Sequence, residues 1–164
     1  MAEGVQFSSP DERPITAFSS WVGQAGEAIA AEFLEANGYR IVMSNFTVPV
    51  GRNRNGAEIT GEIDLVALEG DTLCFIEIKT RSSIGLATPD KAVDLRKQRQ
   101  ITRTARIYKQ LFEVENVPHR YDVVSVVLDG IDDPVIELHR SFWTDAKFAK
   151  RRWNDGTWQT TRTF

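Results

Sequence analysis

Two segments decide the fold of this chain: GEIDLVA at residues 61–67 and FIEIKT at residues 75–80. Both alternate apolar and polar side chains and are rich in isoleucine and valine, a pattern typical of β-strands. The EGD sequence at 69–71 separates them, and its composition is typical of a tight turn. A turn centred on Gly70 and Asp71 predicts an antiparallel hairpin that pairs Asp64 with Glu77 and Glu62 with Lys79.

This pairing predicts two different faces for the hairpin, because successive side chains of a strand point to opposite sides. The polar face holds Glu62, Asp64, Glu77 and Lys79, and the other face, which we expect to pack into the core, holds Ile63, Leu65, Ile76 and Ile78. Opposed carboxylates about 5 Å apart at Cβ repel each other, and Mg²⁺ would relieve the repulsion. The spacing fits equally well a surface salt-bridge cluster in which Lys79 neutralises Glu62 or Glu77.

The flanking sequence predicts one mixed α/β domain with the element order α-β-β-β-α-β-β. A first helix is expected from a cap at Ser19 or Ser20 to about Asn37, with apolar positions at Val22, Ala25, Ile29 and Phe33. A long helix is expected from about Asp90 to Phe112. The remaining predicted strands are YRIVMSNFTV, before a GRNRNG loop, and YDVVSVVL and VIELH near the end of the chain. We expect a flexible leader at 1–17, the domain at 18–140 and an aromatic and basic extension at 141–164.

Composition narrows the class of protein. The chain has 164 residues, of which 41% are hydrophobic and 26% charged, so a folded core is expected. It has no apolar run of the roughly 20 residues that span a bilayer, and its N-terminus lacks the pattern of a signal peptide, so we expect a cytoplasmic protein without membrane contact. The lone cysteine, Cys74, lies in an apolar run and is expected in the core, and the two histidines supply no zinc-binding spacing.

Charge is distributed unevenly along the chain. Residues 1–80 carry 12 acids and 5 bases, whereas residues 81–164 carry 11 acids and 15 bases. An acidic centre beside a basic surface suits a metal-dependent enzyme that acts on a polyanion, although uneven surface charge without a function explains the counts equally well.

The order of the sequence blocks resembles a known family. Asp64 followed by Glu77-Ile78-Lys79 is similar to the motif of the PD-(D/E)XK nuclease superfamily. The series GQAGEAIAAEFLEANGYRIV, GEIDLVA, FIEIKTRSS, KQRQITRTARIY and YDVVSV resembles the YraN-like family of predicted endonucleases, which is similar in turn to Holliday-junction resolvases. The resemblance covers about residues 20–139 and implies a restriction-endonuclease-like mixed sheet with helices flanking it.

The resemblance also implies roles for individual residues. Asp64 and Glu77 would hold Mg²⁺, for which Mn²⁺ is expected to substitute, and Lys79 would position the attacking water and stabilise charge on the phosphate. Glu27, the glutamate of a GxxGExxA pattern in the first helix, would complete the acidic cluster as a further metal or water ligand. Lys97 on the second helix is a candidate for catalytic support. Glu62, opposite Lys79, is a supporting residue.

Nucleic-acid binding is expected at arginines of the second helix and at the end of the second hairpin strand. These residues are Arg81, Arg96, Arg99, Arg103 and Arg106. A phosphate backbone would relieve their mutual repulsion, but an ordinary solvated helix face accounts for the stripe as well. Arg52 and Arg54 of the GRNRNG loop could touch DNA, and Trp153 and Trp158 of the extension could stack on bases. The extension could instead cover the sheet or a partner chain, which leaves a homodimer open.

The residues together with the resemblance predict a Mg²⁺-dependent endonuclease that hydrolyses phosphodiester bonds in DNA, with branched or flapped DNA as candidate substrates. The first alternative is a nucleic-acid-binding protein with the same fold and weak or absent catalysis. The second is a non-enzymatic interaction module whose carboxylates form a surface salt-bridge cluster. Binding of divalent cations separates these alternatives, because the salt-bridge cluster predicts no metal site.

Overall fold

The computed structural model describes residues 15–81, 93–128 and 133–149. It confirms the predicted order α-β-β-β-α-β-β. The elements are α1 (Ile15–Ala36), β1 (Tyr39–Arg52), β2 (Glu58–Glu69), β3 (Thr72–Arg81), α2 (Leu95–Leu111), β4 (His119–Val127), β5 (Val135–Trp143) and a short 3₁₀ helix (Asp145–Phe148). None of the described helices is long and apolar enough to cross a membrane.

The five strands form one mixed sheet in the order β1-β2-β3-β4-β5. Neighbouring strands are antiparallel except for β3 and β4, which are parallel. Parallel neighbours need a long connection, and α2 lies in the one that joins β3 to β4. The fold class predicted from the sequence, a mixed sheet flanked by helices, is therefore confirmed.

Helix α1 covers one face of the sheet. Among its residues whose burial is described, the apolar residues Ala30 and Leu34 are fully buried, and they pack with Leu65, Ile76 and other apolar residues of the central strands. Two of the predicted apolar positions, Ile29 and Phe33, come one residue before Ala30 and Leu34. They lie at the border of the interface and are only partly buried.

Helix α2 covers the opposite face, which corrects the prediction that only one side of the hairpin packs into the core. Val66 and Phe75 of the hairpin, both fully buried, pack there against Ile101 and Tyr108 of α2. Ile63 belongs to this cluster as well, whereas Leu65 belongs to the cluster beneath α1. Since Ile63 and Val66 lie on the same side, the strict alternation of β2 is interrupted between them, at Asp64.

Several element ends differ from the predictions. Helix α1 begins at Ile15, before both predicted capping serines. Helix α2 begins at Leu95 rather than near residue 90, because Asp94 caps it by accepting a hydrogen bond from the backbone N–H of Lys97 at 2.8 Å. Strand β5 continues to Trp143, three residues past the predicted end of the domain. Most of the predicted leader (1–14) and of the extension (150–164), including Trp153 and Trp158, lies outside the described residues.

A buried ionic network joins the first and last strands. Asp122 of β4 is fully buried and accepts hydrogen bonds from Arg120 Nε at 2.9–3.0 Å and from the backbone N–H of Ser141. Arg120 and Arg140 also donate to the hydroxyl of Tyr39. A buried carboxylate with this many donors is compensated for its loss of hydration, so the network stabilises the edge of the sheet.

Candidate active site

The predicted register of the hairpin is confirmed where the two strands are paired. Leu65 lies opposite Ile76 and Glu69 lies opposite Thr72. The ladder between β2 and β3 ends at the first of these pairs, so the predicted pairs of Asp64 with Glu77 and of Glu62 with Lys79 are not formed. One residue further, Asp64 Oδ2 accepts a hydrogen bond from the backbone N–H of Ile78 at 2.7 Å. The Asp64 side chain therefore occupies the gap where the two strands separate.

Glu77 lies at the centre of the candidate site and is almost fully buried, with 1% of its side chain exposed. Lys79 Nζ is 2.7 Å from Glu77 Oε1, and Lys97 Nζ is 3.2 Å from Glu77 Oε2. Lys97 forms an ion pair with Oε2, but this buried oxygen receives no well-directed hydrogen bond from a described residue. An oxygen in this state has a free lone pair for a further ligand.

The electrostatics of Asp64 reflect both its burial and its neighbour. Loss of hydration, followed by the charge of Glu77, raises the pKa of Asp64 to about 7, although the hydrogen bond from Ile78 and the charge of Lys97 act in the opposite direction. The predicted repulsion between the two carboxylates is therefore present. Burial alone would lower the pKa of Lys97, but the charges of Glu77 and Asp64 outweigh burial and raise it.

The packing of α2 on β2 brings Lys97 to the site. Gly61 of β2 is buried, and a Cβ atom there would overlap the side chain of Thr104 on α2. At the residue before Gly61, the backbone oxygen of Thr60 accepts a hydrogen bond from Gln100 Nε2 at 2.6 Å. The glycine thus permits a close approach of helix and strand, and Lys97, less than one turn before Gln100, reaches Glu77.

The structure places the other two predicted acidic residues differently. Glu27 is half-buried on α1, and the adjacent Gly26 lies so close to β3 that a Cβ atom would overlap the side chain of Thr80. This close approach brings α1 beside the end of β3, but Glu27 forms neither a hydrogen bond nor an ion pair with any described residue. Glu62 is exposed and has no ion-pair partner among the described residues, although its charge acts on Asp64 and Lys97.

The side chains of the candidate site supply some, but not all, of the ligands that a divalent cation needs. In the described part of the chain, no group of three or more histidine, cysteine or carboxylate side chains is arranged to hold a metal ion. Mg²⁺ in phosphoryl-transfer sites is commonly bound by one or two carboxylates, with water and substrate phosphate as its other ligands. Asp64 and Glu77 Oε2 fit that smaller set, and a cation at Oε2 would compete with Lys97.

The predicted nucleic-acid-binding arginines divide into two groups. Four of them are exposed on the outer side of α2, away from the site: Arg96, Arg99, Arg103 and Arg106. Arg81 is half-buried at the end of β3 and is therefore not part of this stripe. Arg52, the last residue of β1, donates a hydrogen bond to the backbone oxygen of Gly56 at 2.8 Å, so it stabilises the turn between β1 and β2.

Two features of the structure were not predicted from the sequence. The buried Asp122 had a signal, since it is the one charged residue within the apolar strand YDVVSVV. It lies on the α1 side of the sheet, opposite to Glu77, and belongs to the fold rather than to the site. The second feature is the contact of Arg99 with Phe148, 49 residues later, which no local pattern predicts.

Comparison with known proteins reveals bacterial relatives. The family model for "Uncharacterised protein family UPF0102" matches residues 26–126. A UPF0102 protein of Chlorobaculum parvum is 42% identical over 69% of this chain and 80% of its own length. One of Chlorobium limicola is 37% identical over 82% of this chain and 93% of its own length. One of Symbiobacterium thermophilum is 45% identical over 64% of this chain and 80% of its own length.

A solved structure titled "Crystal structure of SSO0001" covers 79% of this chain and 55% of its own chain. Its sequence identity to this chain is 20% and its TM-score is 0.37. That similarity is too weak to support a conclusion about this protein.

Proposed function

This chain belongs to the uncharacterised protein family UPF0102, and we propose that it is a Mg²⁺-dependent endonuclease that hydrolyses phosphodiester bonds in DNA. The observation that supports the proposal most strongly is the buried carboxylate of Glu77 beside Asp64, with one oxygen lacking a hydrogen-bond partner among the described residues. Two carboxylates that repel each other, with ammonium groups beside them, favour a site that binds a cation together with an anionic substrate.

Each residue of the site has a role that its surroundings permit. Asp64 and Glu77 would hold the cation, which would acidify a water molecule and neutralise charge on the phosphate. Lys79, with 34% of its side chain exposed, can reach a phosphate oxygen while its partner Glu77 holds it in place. Lys97, whose Nζ lies 3.2 Å from Glu77 Oε2, would contact the same phosphate. Glu27, half-buried on α1 beside the end of β3, would be a further metal or water ligand.

A second candidate function is nucleic-acid binding without hydrolysis. One observation favours it: both oxygens of Glu77 already have an ammonium group within 3.2 Å, so the site is neutralised without a metal ion. In that case divalent cations bind no more tightly than to an ordinary acidic surface. Isothermal titration with Mn²⁺ therefore distinguishes the two functions before any substrate is known.

The deciding experiment is a cleavage screen of linear, flapped and four-way DNA with Mg²⁺, Mn²⁺ or EDTA. We expect metal-dependent cleavage of at least one DNA that Asp64→Asn reduces by orders of magnitude, because the variant loses a metal ligand but keeps the shape of the site. Glu62→Gln is the matched control, since it removes an exposed carboxylate two residues away and should retain most of the activity. Cleavage that persists in EDTA or in Asp64→Asn would refute the assignment of this site.

A further inference from the structure

A cavity of about 350 Å³ lies between α2 and the short 3₁₀ helix that follows β5. Six of the described residues line it: Arg99, Thr102, Arg103, Arg106, Phe148 and Ala149. No acidic side chain is among them. The cavity is therefore a concave surface with three guanidinium groups, formed by two elements that are far apart in the sequence.

Within the described part of the chain, the three arginines of the cavity have no compensating partner. Arg99, Arg103 and Arg106 form neither an ion pair nor a hydrogen bond with any described residue. Arg99 instead lies over the ring of Phe148, with its guanidinium carbon 5.6 Å from the ring centroid. Their spacing of four and three residues brings like charges together on one side of the helix, which is unfavourable without an anion.

The acidic residue of the neighbouring 3₁₀ helix cannot supply that anion. Asp145 accepts hydrogen bonds from Tyr121 Oη at 2.7 Å and from His119 Nε2 at 3.0 Å. Lys109 Nζ lies 4.0 Å from the same carboxylate. The carboxylate of Asp145 therefore contacts Tyr121, His119 and Lys109 and does not line the cavity.

This cavity is distinct from the acidic centre. Each residue of an α-helix turns by about 100°, so Arg99 and Arg106 lie roughly 180–200° around α2 from Lys97. Lys97 lies against Glu77 of the sheet, whereas Arg99 lies over the ring of Phe148 and Arg106 is exposed. A phosphate bound at the arginines is therefore not the phosphate that would contact Glu77.

We propose that this cavity is a second, phosphate-binding site, and that the phosphate belongs to a nucleic-acid backbone. Guanidinium groups bind phosphate oxygens in pairs of parallel hydrogen bonds, and several on one concave surface compensate the charge of a phosphate better than separate surface arginines do. Only the choice of nucleic acid as the carrier of the phosphate rests on the proposed function. The site itself does not require cleavage or a metal ion.

The test measures binding of a fluorescent DNA duplex to the full chain in EDTA over a range of salt concentrations. Arg99→Gln, Arg103→Gln and Arg106→Gln should each weaken binding several-fold and reduce the salt slope by about 0.9 for every phosphate that is no longer neutralised. The matched control is Arg96→Gln, which removes an exposed arginine of the same helix that does not line the cavity, and it should have a clearly smaller effect. Melting curves of all variants check that each remains folded.

A second arm uses inorganic pyrophosphate as the probe and thermal stability as the readout. If pyrophosphate stabilises the wild-type chain but not the cavity variants, and DNA binding is unchanged in them, the nucleic-acid assignment is overturned, because the site then takes phosphate from a small molecule. Equally weakened DNA binding in Arg96→Gln and the cavity variants, without a pyrophosphate effect, would overturn the proposal in favour of diffuse charge. Unchanged binding in every variant and both arms would overturn it as well.

The outcome is independent of the proposed nuclease activity. Binding that depends on the cavity in a protein that cleaves no DNA would support this site and contradict the endonuclease function. If the cavity variants cleave DNA and bind it as tightly as the wild-type chain, the endonuclease function is supported and the proposed phosphate site is refuted.

Discussion

Replacing Asp64 by asparagine should stabilise the metal-free protein at pH 8, although the change removes a charged residue from the candidate active site. The carboxylate of Asp64 is poorly hydrated and lies beside Glu77, and its pKa rises from 3.8 to about 7 as a result. Asparagine has nearly the same shape, and its side-chain oxygen can still accept the hydrogen bond from Ile78. The substitution therefore removes the unfavourable charge and keeps the favourable contact.

The size of the effect follows from the pKa. A rise from 3.8 to about 7 corresponds to an upper limit of about 4 kcal/mol, because each pKa unit is equivalent to about 1.4 kcal/mol. Partial access of the carboxyl group to solvent reduces this value, and we expect roughly 1–3 kcal/mol. Since the folded pKa lies above the unfolded value, the stabilisation from the neutral carboxyl group is fully present below about pH 4 and is lost as the pH rises through about 7. The difference between the two proteins should thus be small near pH 4 and largest above pH 7.

Urea denaturation in EDTA at several pH values measures this difference. Glu62→Gln is the control, because Glu62 is an exposed carboxylate near the same site and should show little change at any pH. An Asp64→Asn protein that is less stable at pH 8, or a difference that does not vary with pH, would show that the charge of Asp64 is not unfavourable and would refute the reasoning. Added Mn²⁺ should raise the melting temperature of the wild-type chain and have little effect on the variant.

Three further outcomes follow from buried contacts. Glu77→Gln should destabilise the metal-free protein by roughly 1–3 kcal/mol in urea denaturation, because it leaves two lysines beside a buried group without its charge. Gly26→Ala should destabilise by roughly 1–3 kcal/mol, because its methyl group would overlap Thr80, whereas Gly23→Ala on the same helix meets open space and should gain up to about 1 kcal/mol. Burial raises the pKa of the Cys74 thiol to about 11, so a thiol reagent at pH 8 should label Cys74 only as fast as the protein unfolds.

The sequence was sufficient for the register of the paired part of the hairpin and for the order of the elements, but not for which faces of the hairpin are buried. Period-two alternation identifies the strands, and the Gly70-Asp71 turn determines their register, so the pairing of Leu65 with Ile76 was predictable from about twenty consecutive residues. The element order was predictable for the same reason, because helix and strand periods are local properties of the chain. The burial of Cys74 was predicted from its apolar neighbours alone.

The helix boundaries were less predictable, because competing capping residues occur close together. Ser19 and Ser20 are good capping residues, yet the helix extends through them to Ile15. At the second helix Asp94 is the cap that forms, four residues after the expected start. Which candidate caps a helix depends on how far the helix can continue before it leaves the sheet, and packing against the sheet is not a local property.

The arrangement around Glu77 was decided only by the tertiary structure. Spacing alone left a salt-bridge cluster open as an alternative, and the resemblance to the YraN-like family was needed to propose Asp64, Glu77, Lys79 and Lys97 as site residues. The sequence did not show that α2 covers this face of the sheet, that Lys97 reaches within 3.2 Å of Glu77, or that Asp64 turns into the gap between strands. Sequence spacing determines which face of its own helix or strand a residue occupies. Contacts between elements that are far apart in the sequence depend on how the helices and strands pack together. That packing minimises the free energy of the whole core, so it is not a local property of the chain.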